Sequence, residues 1–326
     1  MAADLRLRPW PRGVQTFDTE ATKERRAPRW SHDNGYVKAV TERRDVDRKL
    51  SPMEVVAYPG EVGAYSEEGA VALFPTAERR ALPSIRTVFE SVEVGRARWG
   101  LVPMDNSQAG SINETYDLFL RHGLHLVGET VVRVDHALVA LPGSTIDELR
   151  EVASHPQAIA QCEEFLSTLE VGVRAEYNTA GAAKRIAEDR LERTAAIASR
   201  RAAELYGLEV LADRIQTYPD NYTRFGALSR DPSPLADPDK SSLVFGVGHV
   251  PGSLYRCLGA FAERHLNLTK LESRPRPGRP WEYVFYADVE APADLPEMVD
   301  ALAALSEHAT FTRLLGTYAS AVQRKP

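Results

Sequence analysis

The sequence predicts an α/β fold followed by a smaller βαββαβ unit of ferredoxin-like type. Three observations predict it. From residue 53 onward, short apolar runs alternate with helix-length periodic segments, the pattern of strands interleaved with helices and mostly parallel pairing. A proline-rich stretch, RDPSPLADPDKS, breaks that rhythm at 230–241. After it the order becomes strand, helix, strand, strand, helix, strand. The expected organisation is a flexible N-terminal extension over 1–52, a first domain over 53–230, a linker over 231–240 and a second domain over 241–326.

The elements follow in order. EVVAYPG is strand-like and ends in a Pro-Gly turn. SEEGAVALF reads as a helix with Ser66 as its N-cap. WGLVPM is a strand and INETYDLFLRH a helix closed by Gly123. Ser111, three residues before Glu114, makes a capping box for that helix. HALVAL is a strand ending at Pro142 and Gly143. TIDELREV, IAQCEEFLSTL, GAAKRIAEDR and RRAAELYGL read as helices, TAAIAS and YTRFGALS as strands. In the second domain the pattern places strands at 243–249, 267–273, 281–289 and 311–318, with helices at 252–265 and 294–307.

Composition narrows the function. A chain of 326 residues has room for two domains, and 43% hydrophobic with 26% charged residues is ordinary globular composition. Cys162 and Cys257 are too few for a disulfide framework and lack zinc spacing, so both read as small buried apolar residues and no metal is expected. No apolar run reaches the ~18 residues of a membrane span. With no charged-then-apolar leader the expectation is a cytoplasmic enzyme or regulator. Residues 1–50 hold 12 Lys/Arg against 8 Asp/Glu, whereas the remainder holds 28 against 38. That acidic body argues against general nucleic-acid binding, and the eight acids argue against an organelle transit segment.

The stretch VPMDNSQAGSINETYDLF, 102–119, crowds Asp105, Asn106 and Ser107 at the carboxyl end of a strand. Open α/β sheets bind ligands there, and a following helix N-terminus suits a carboxylate. Ser66 in GAYSEEGA, Ser154 and Gln161 in SHPQAIAQC, and Thr179 after Asn178 in NTAGAA stand at similar junctions. Each alone reads first as a helix cap and only second as a ligand. Together they describe a cleft lined with helix N-termini and built for an anion. His155 precedes Pro156 and either holds the turn or serves as a base. In DNYTRFGALSRD, Thr223, Arg224 and Phe225 share a strand. They are an edge residue beside a surface arginine, or else a hydroxyl donor, a guanidinium for a carboxylate and an aromatic wall.

Taken in order, GAYSEEGA, VPMDNSQAGSINETYDL, SHPQAIAQC, NTAGAA, TAAIAS, ELYGL, NYTRF and ESRP resemble the prephenate dehydratases and, equally, the arogenate dehydratases, over about residues 54 to 319. The resemblance implies a two-lobed catalytic domain like a type II periplasmic binding protein, followed by an ACT domain. The implied reaction turns prephenate into phenylpyruvate by loss of water and carbon dioxide, without a cofactor. The arogenate alternative makes phenylalanine directly. A non-catalytic sensor is the remaining reading, and the intact Thr223-Arg224-Phe225 argues against it. The resemblance makes Thr223 the proton donor to the leaving hydroxyl. It leaves Ser66, Asp105, Asn106, Ser107, Ser154, Gln161, Thr179, Arg224 and Phe225 to bind substrate.

Two departures stand out. Asp105 replaces the Glu common in the family, drawing the charge back by one methylene. Fifty proline-interrupted residues at the start cannot supply the long helices of a chorismate mutase domain. The implied effector is L-phenylalanine, bound at a subunit interface of a homodimer or homotetramer. Its expected contacts are Gly252, Ser253 and Leu254, Asn267, and Glu272, Ser273, Arg274 and Pro275. Tyr255 is larger than the residue usual at its place.

Overall fold

Two lobes and a third sheet-and-helix layer make up the computed structural model, which describes residues 54–276, 279 and 281–321. The extension predicted over 1–52 lies outside the described residues. The first lobe runs β1 (Val55–Pro59), α1 (Tyr65–Leu73), β2 (Glu78–Leu82), α2 (Ile85–Glu93), β3 (Trp99–Asn106), β4 (Gly110–Ser111), α3 (Asn113–Arg121) and β5 (His125–Arg133). The chain then crosses to the second lobe. There it forms β6 (Ala137–Ala140), β7 (Glu151–Ser154), α4 (Pro156–Gln161), α5 (Glu163–Leu166), β8 (Gly172–Ala175), α6 (Thr179–Asp189), β9 (Thr194–Ala198), α7 (Arg200–Tyr206) and β10 (Glu209–Ala212). It crosses back as β11 (Tyr222–Ser229). Sheet orders are β2-β1-β3-β11-β5, with β4 on β3, and β10-β6-β9-β7-β8. Two crossings between two sheeted lobes give the type II binding-protein arrangement.

The sheets are mixed rather than mostly parallel. β1 runs parallel to β2 and β3, and β7 to β8 and β9, but β11 is antiparallel to both β3 and β5, and β6 to β9 and β10. The returning strand enters the first lobe from the opposite end, so its direction is reversed. Leu101, Val102 and Met104 of β3 are at most 1% exposed, as expected of a central strand covered on both faces.

Three local expectations are corrected. Ser66 does not cap α1: Ala64 holds that position, and the Ser66 hydroxyl donates to the Pro59 carbonyl at 2.5 Å. Ser111 forms no capping box with Glu114. Ile112 is the N-cap of α3 with no side-chain bond, because the Ser111 hydroxyl is engaged by Asp105 and Lys270. TIDELREV is not a helix. Only Ile146–Glu148 makes a short 3-10 turn, and Glu151–Ser154 is β7, held by parallel neighbours on both sides.

The last layer is β12 (Lys240–Val247), α8 (Ser253–Ala262), β13 (Leu268–Pro275), β14 (Tyr283–Val289), α9 (Pro296–His308) and β15 (Ala309–Tyr318), in sheet order β13-β14-β12-β15. This is the βαββαβ unit read from sequence. One face of the sheet packs Leu243, Phe245, Ala287 and Val289 against Phe261, Met298 and Leu305 of the helices. The other face is largely covered by the first lobe. Val244, Val284, Tyr286, Leu315 and Tyr318 share a core with Phe89, Tyr116, Phe119 and Leu126 of the first lobe. The Tyr286 hydroxyl donates to the Tyr116 carbonyl at 2.7 Å. Arg313 donates to the carbonyls of Phe119, His122 and Leu124, satisfying acceptors left open where α3 ends.

Candidate active site

A cavity of about 170 Å³ opens between the lobes, beside the two crossing segments. Those segments are tied together: Val134 N–H donates to Asn221 O at 2.8 Å, Ile215 N–H to His136 O at 3.0 Å, and His136 N–H to Gln216 Oε1 at 3.0 Å. Lining side chains come from α1 (Tyr65), β3 (Asn106), the first crossing (Val134, His136), α4 and its cap (His155, Gln157, Ala158, Gln161), α6 and its cap (Asn178, Thr179), and β11 (Thr223). Among the described residues this lining carries no Asp, Glu, Lys or Arg. Its polarity is that of amides, hydroxyls and imidazoles, helped by the N-terminus of α6.

Asn106 and Thr223 face each other across β3 and β11, paired in the ladder. The orientation of the Asn106 amide is fixed by the backbone: its Oδ1 accepts from Gln108 N–H at 3.1 Å and Ala109 N–H at 2.9 Å. Its Nδ2 therefore points at Thr223 Oγ1, 3.1 Å away, and at Asn221 Oδ1, 2.7 Å away. Asn221 Nδ2 in turn donates to Gln161 Oε1 at 3.0 Å, and His136 Nε2 lies 2.9 Å from that same oxygen. Thr223 thus receives a hydrogen bond on its oxygen and keeps its own proton for a ligand.

The sequence did not single out Tyr65, His136 or Asn221. The Tyr65 hydroxyl donates to Asp135 O at 2.6 Å and sits 3.3 Å from His136 Nδ1. His155 is the N-cap of α4, its Nδ1 accepting from Gln157 N–H at 3.2 Å, so it holds the turn.

The cavity brings together Asn106, Gln161, Thr179 and Thr223 from the predicted set. It does not include the others. Ser154 donates to Ile197 O at 2.6 Å and is fully buried. Ser107 donates to Asp220 O at 3.0 Å and accepts from Tyr222 N–H at 2.9 Å, bracing the second crossing. Ser66 is occupied by Pro59. Phe225, 3% exposed, packs in the first-lobe core with Tyr58, Ala70 and Trp99. Arg224 is neither a surface residue nor a cavity residue. Its guanidinium bonds Asp105 Oδ2 at 2.8 Å through Nε, and lies 2.9 Å from both Glu129 Oε2 and Asp288 Oδ2. Asp105 is turned the same way, also meeting Lys270, Ser111 and Tyr116. Burial alone would raise its carboxyl, but Arg224 and Lys270 hold it below its ordinary 3.8.

In the second domain Gly252, Ser253 and Leu254 line a surface depression of about 520 Å³ with 247–251 and Tyr255. Gly252 has φ +80, a left-handed turn that glycine adopts without strain. Asn267 Nδ2 donates to Glu290 Oε2 at 2.7 Å. Glu272 and Arg274 point the other way, toward the first lobe, meeting Ser111 at 3.2 Å and Asp117 at 3.1 Å. Ser273 and Pro275 alternate with them and are exposed.

Burial sets the pH response. It holds His136 below its ordinary 6.5, against the opposing pull of Gln161 and Asp135, and it also lowers His125 and His155. The folded protein keeps these rings neutral while the unfolded chain takes up protons as pH falls through about 6.5. The contribution of these histidines is therefore expected to be full above that pH and to be lost below it, while Glu68, whose carboxyl burial pushes up to about 7, acts in the opposite direction. In thermal melts from pH 7.5 to 5, the Tm of the wild type should fall relative to that of His136→Gln as the pH is lowered. A Tm difference between the two proteins that is constant over that range would contradict it.

A family model described as prephenate dehydratase matches residues 56–233, and one described as ACT domain matches 241–307. Arogenate dehydratase/prephenate dehydratase 2 of Arabidopsis thaliana is 44% identical over 274 residues, covering 81% of this chain and 72% of its own length. Arogenate dehydratase 2 of Petunia hybrida is also 44% identical, over 81% of this chain. Among solved structures, the prephenate dehydratase of Arthrobacter aurescens in complex with L-Phe superposes with TM-score 0.76 at 30% identity, covering 83% of this chain and 92% of its own. A structure described as GqqA, a novel type of quorum quenching acylase, superposes with the same score at 33% identity, over 83% of this chain and 100% of its own. A two-lobed domain with a hydroxyl held at its hinge, an ACT layer behind it and these matches lead to one conclusion: the chain belongs to the prephenate dehydratase family.

Proposed function

We propose that the protein converts prephenate to phenylpyruvate in phenylalanine biosynthesis and that phenylalanine bound by the ACT domain lowers this activity. The observation that carries the reading is the Thr223 hydroxyl, held by the Asn106 amide at the hinge cavity. In the reaction the bond between the ring and its carboxylate breaks, and its electron pair enters the ring. The ring C–O bond breaks in concert. The departing oxygen takes a proton and leaves as water, and the carboxylate leaves as carbon dioxide. Thr223 supplies that proton and recovers one from solvent, so each turnover consumes one proton. The donation from Asn106 stabilises the oxygen as it gives up its proton. Amides and the α6 N-terminus orient the carboxylates in a cleft screened from water.

Arogenate is the second reading. It is favoured by the names of relatives at 44% identity, and opposed by a described lining without a carboxylate to receive the substrate ammonium. The protein is expected to work in the cytoplasm, whereas the Arabidopsis thaliana relative at 44% identity is named chloroplastic. No described helix is long and apolar enough to cross a membrane. It is expected to form a homodimer or homotetramer through the ACT edge strand β13, where Leu271 and nearby Tyr283 are 43% and 44% exposed.

The experiment is kcat/KM on prephenate and arogenate side by side, with and without phenylalanine. At least tenfold preference for prephenate, with activity lowered by millimolar phenylalanine, is expected. A preference for arogenate sinks the substrate assignment, and phenylalanine without effect sinks the regulation.

A further inference from the structure

We propose that Asp288, a residue of the ACT sheet, is a positioning residue for the catalytic strand. The proposal rests on the reading of Thr223 as proton donor. It starts from the ladder. Thr223 pairs with Asn106, and the next pair along the same strands is Arg224 with Asp105. Successive side chains on a strand point to opposite faces, so the first pair meets the cavity and the second meets the ACT layer. Immediately beyond Arg224 the ladder slips, with a register shift between Arg224 and Phe225. The ladder to β5 on the other side stays continuous from Tyr222 to Ala227, so the irregularity loosens β11 against β3, the strand that carries Asn106, and there the planar guanidinium, bonded on several sides, adds a constraint.

Asp288 completes that constraint. Its Oδ2 lies 2.9 Å from Arg224 NH1, its side chain is 7% exposed, and its Oδ1 accepts from Ser242 Oγ, which meets the Tyr318 hydroxyl at 2.6 Å. The charges divide across the domain boundary. The catalytic domain contributes Asp105, Glu129 and Arg224. The ACT domain contributes Lys240, Lys270 and Asp288, with Lys240 3.1 Å from Glu129 and 3.6 Å from Asp288. Each domain alone is left with an uncompensated buried charge, one negative and one positive. The neutral cluster exists only with the ACT sheet docked, so docking sets the Arg224–Asp105 pair and, one residue along, the Asn106–Thr223 pair.

The test uses the full chain with Asp288→Asn, the charge-balanced double variant Lys240→Met with Asp288→Asn, and Thr223→Ala in parallel, with prephenate varied from below KM to saturation. Asp288→Asn is expected to lower kcat about 10- to 100-fold while KM changes less than about twofold. The double variant should regain thermal stability without regaining kcat. Wild-type kcat in Asp288→Asn, beside an inactive Thr223→Ala, would overturn the proposal. Recovery of kcat together with Tm in the double variant would also overturn it, since Asp288 would then serve charge balance alone. An active Thr223→Ala would overturn the reading beneath it, and is told apart because it does not involve Asp288.

Discussion

Thr223→Ala should lower kcat by about two to four orders of magnitude, roughly 3–5 kcal/mol of transition-state stabilisation, with little change in KM or in Tm. The size follows from what is removed. The cavity lining among the described residues has hydroxyls at Tyr65, Thr179 and Thr223. The Tyr65 proton goes to the Asp135 carbonyl at 2.6 Å, and its own ionisation is pushed far up by burial. Thr223 alone has its oxygen held from behind by an amide whose orientation the backbone dictates. Deleting its hydroxyl removes the proton at the leaving group and leaves the orienting amides in place, so binding survives and turnover does not. The fold should survive too, because the backbone ladders to β3 and β5 on either side of Thr223 are untouched and only the atoms beyond Cβ are lost. Thr223→Ser is expected to recover a large part of kcat. The measurement is steady-state kinetics on prephenate with circular dichroism of the same samples. Alanine and wild type within threefold of each other would remove Thr223 from the chemistry.

Four of the candidate side chains read from the sequence, Asn106, Gln161, Thr179 and Thr223, line the hinge cavity. Asn106 ends β3 and Thr179 starts α6, junctions that the sequence displays, whereas Gln161 ends α4 and Thr223 lies within β11, in a motif whose side chains alternate. Ser66, Ser107 and Ser154 have the same residue type at the same kind of junction, yet their hydroxyls go to the carbonyls of Pro59, Asp220 and Ile197. A one-residue difference in register decides which way such a group faces, and the tight turns at Gly60 and Gly63 do not announce it. Arg224 was misplaced although the alternation of strand faces already sets it opposite Thr223. His136 opens an apolar run like many core histidines, and its partners Tyr65 and Gln161 are 71 and 25 residues away.

The second domain was the most legible part of the fold, since its helices are amphipathic and its order is local. β2 was lost because ERRAL is charged, as an edge strand facing water is free to be. β7 was lost because four residues are too few to display a period of two, and its strand state comes from its parallel neighbours. Nothing in the ACT sequence said that its second face would be buried by the catalytic lobe.

That buried face carries the other large effect. Gly316→Ala is expected to lower Tm by about 5–15 °C and to reduce kcat with it. A Cβ on Gly316 would lie 1.8 Å from the Leu126 carbonyl oxygen and 2.8 Å from its carbon. Both are backbone atoms of β5, so no rotamer change relieves the contact. Either β15 or β5 must move by more than an ångström, and both are held, β15 by its pairing with β12 and β5 by its pairing with β11. The strain must open the boundary between the domains. That boundary holds the shared core of Phe119, Leu126, Tyr286 and Leu315 and the ion cluster around Arg224, and parting a buried charge from its partner costs about 3–5 kcal/mol. Gly123→Ala is the control, because a Cβ there meets nothing within 4 Å and its effect should stay within about 0.5 kcal/mol. Calorimetry reads the first effect, and limited proteolysis of the 230–239 linker reads whether the domains separate. A Gly316→Ala protein melting like wild type would mean that the ACT layer is not clamped on β5. The reason for expecting the opposite is geometric: Gly316 pairs with Ser242 of β12, and Ser242 pairs with Asp288 of β14, so close backbone packing at Gly316 holds Lys240 and Asp288 within reach of Arg224.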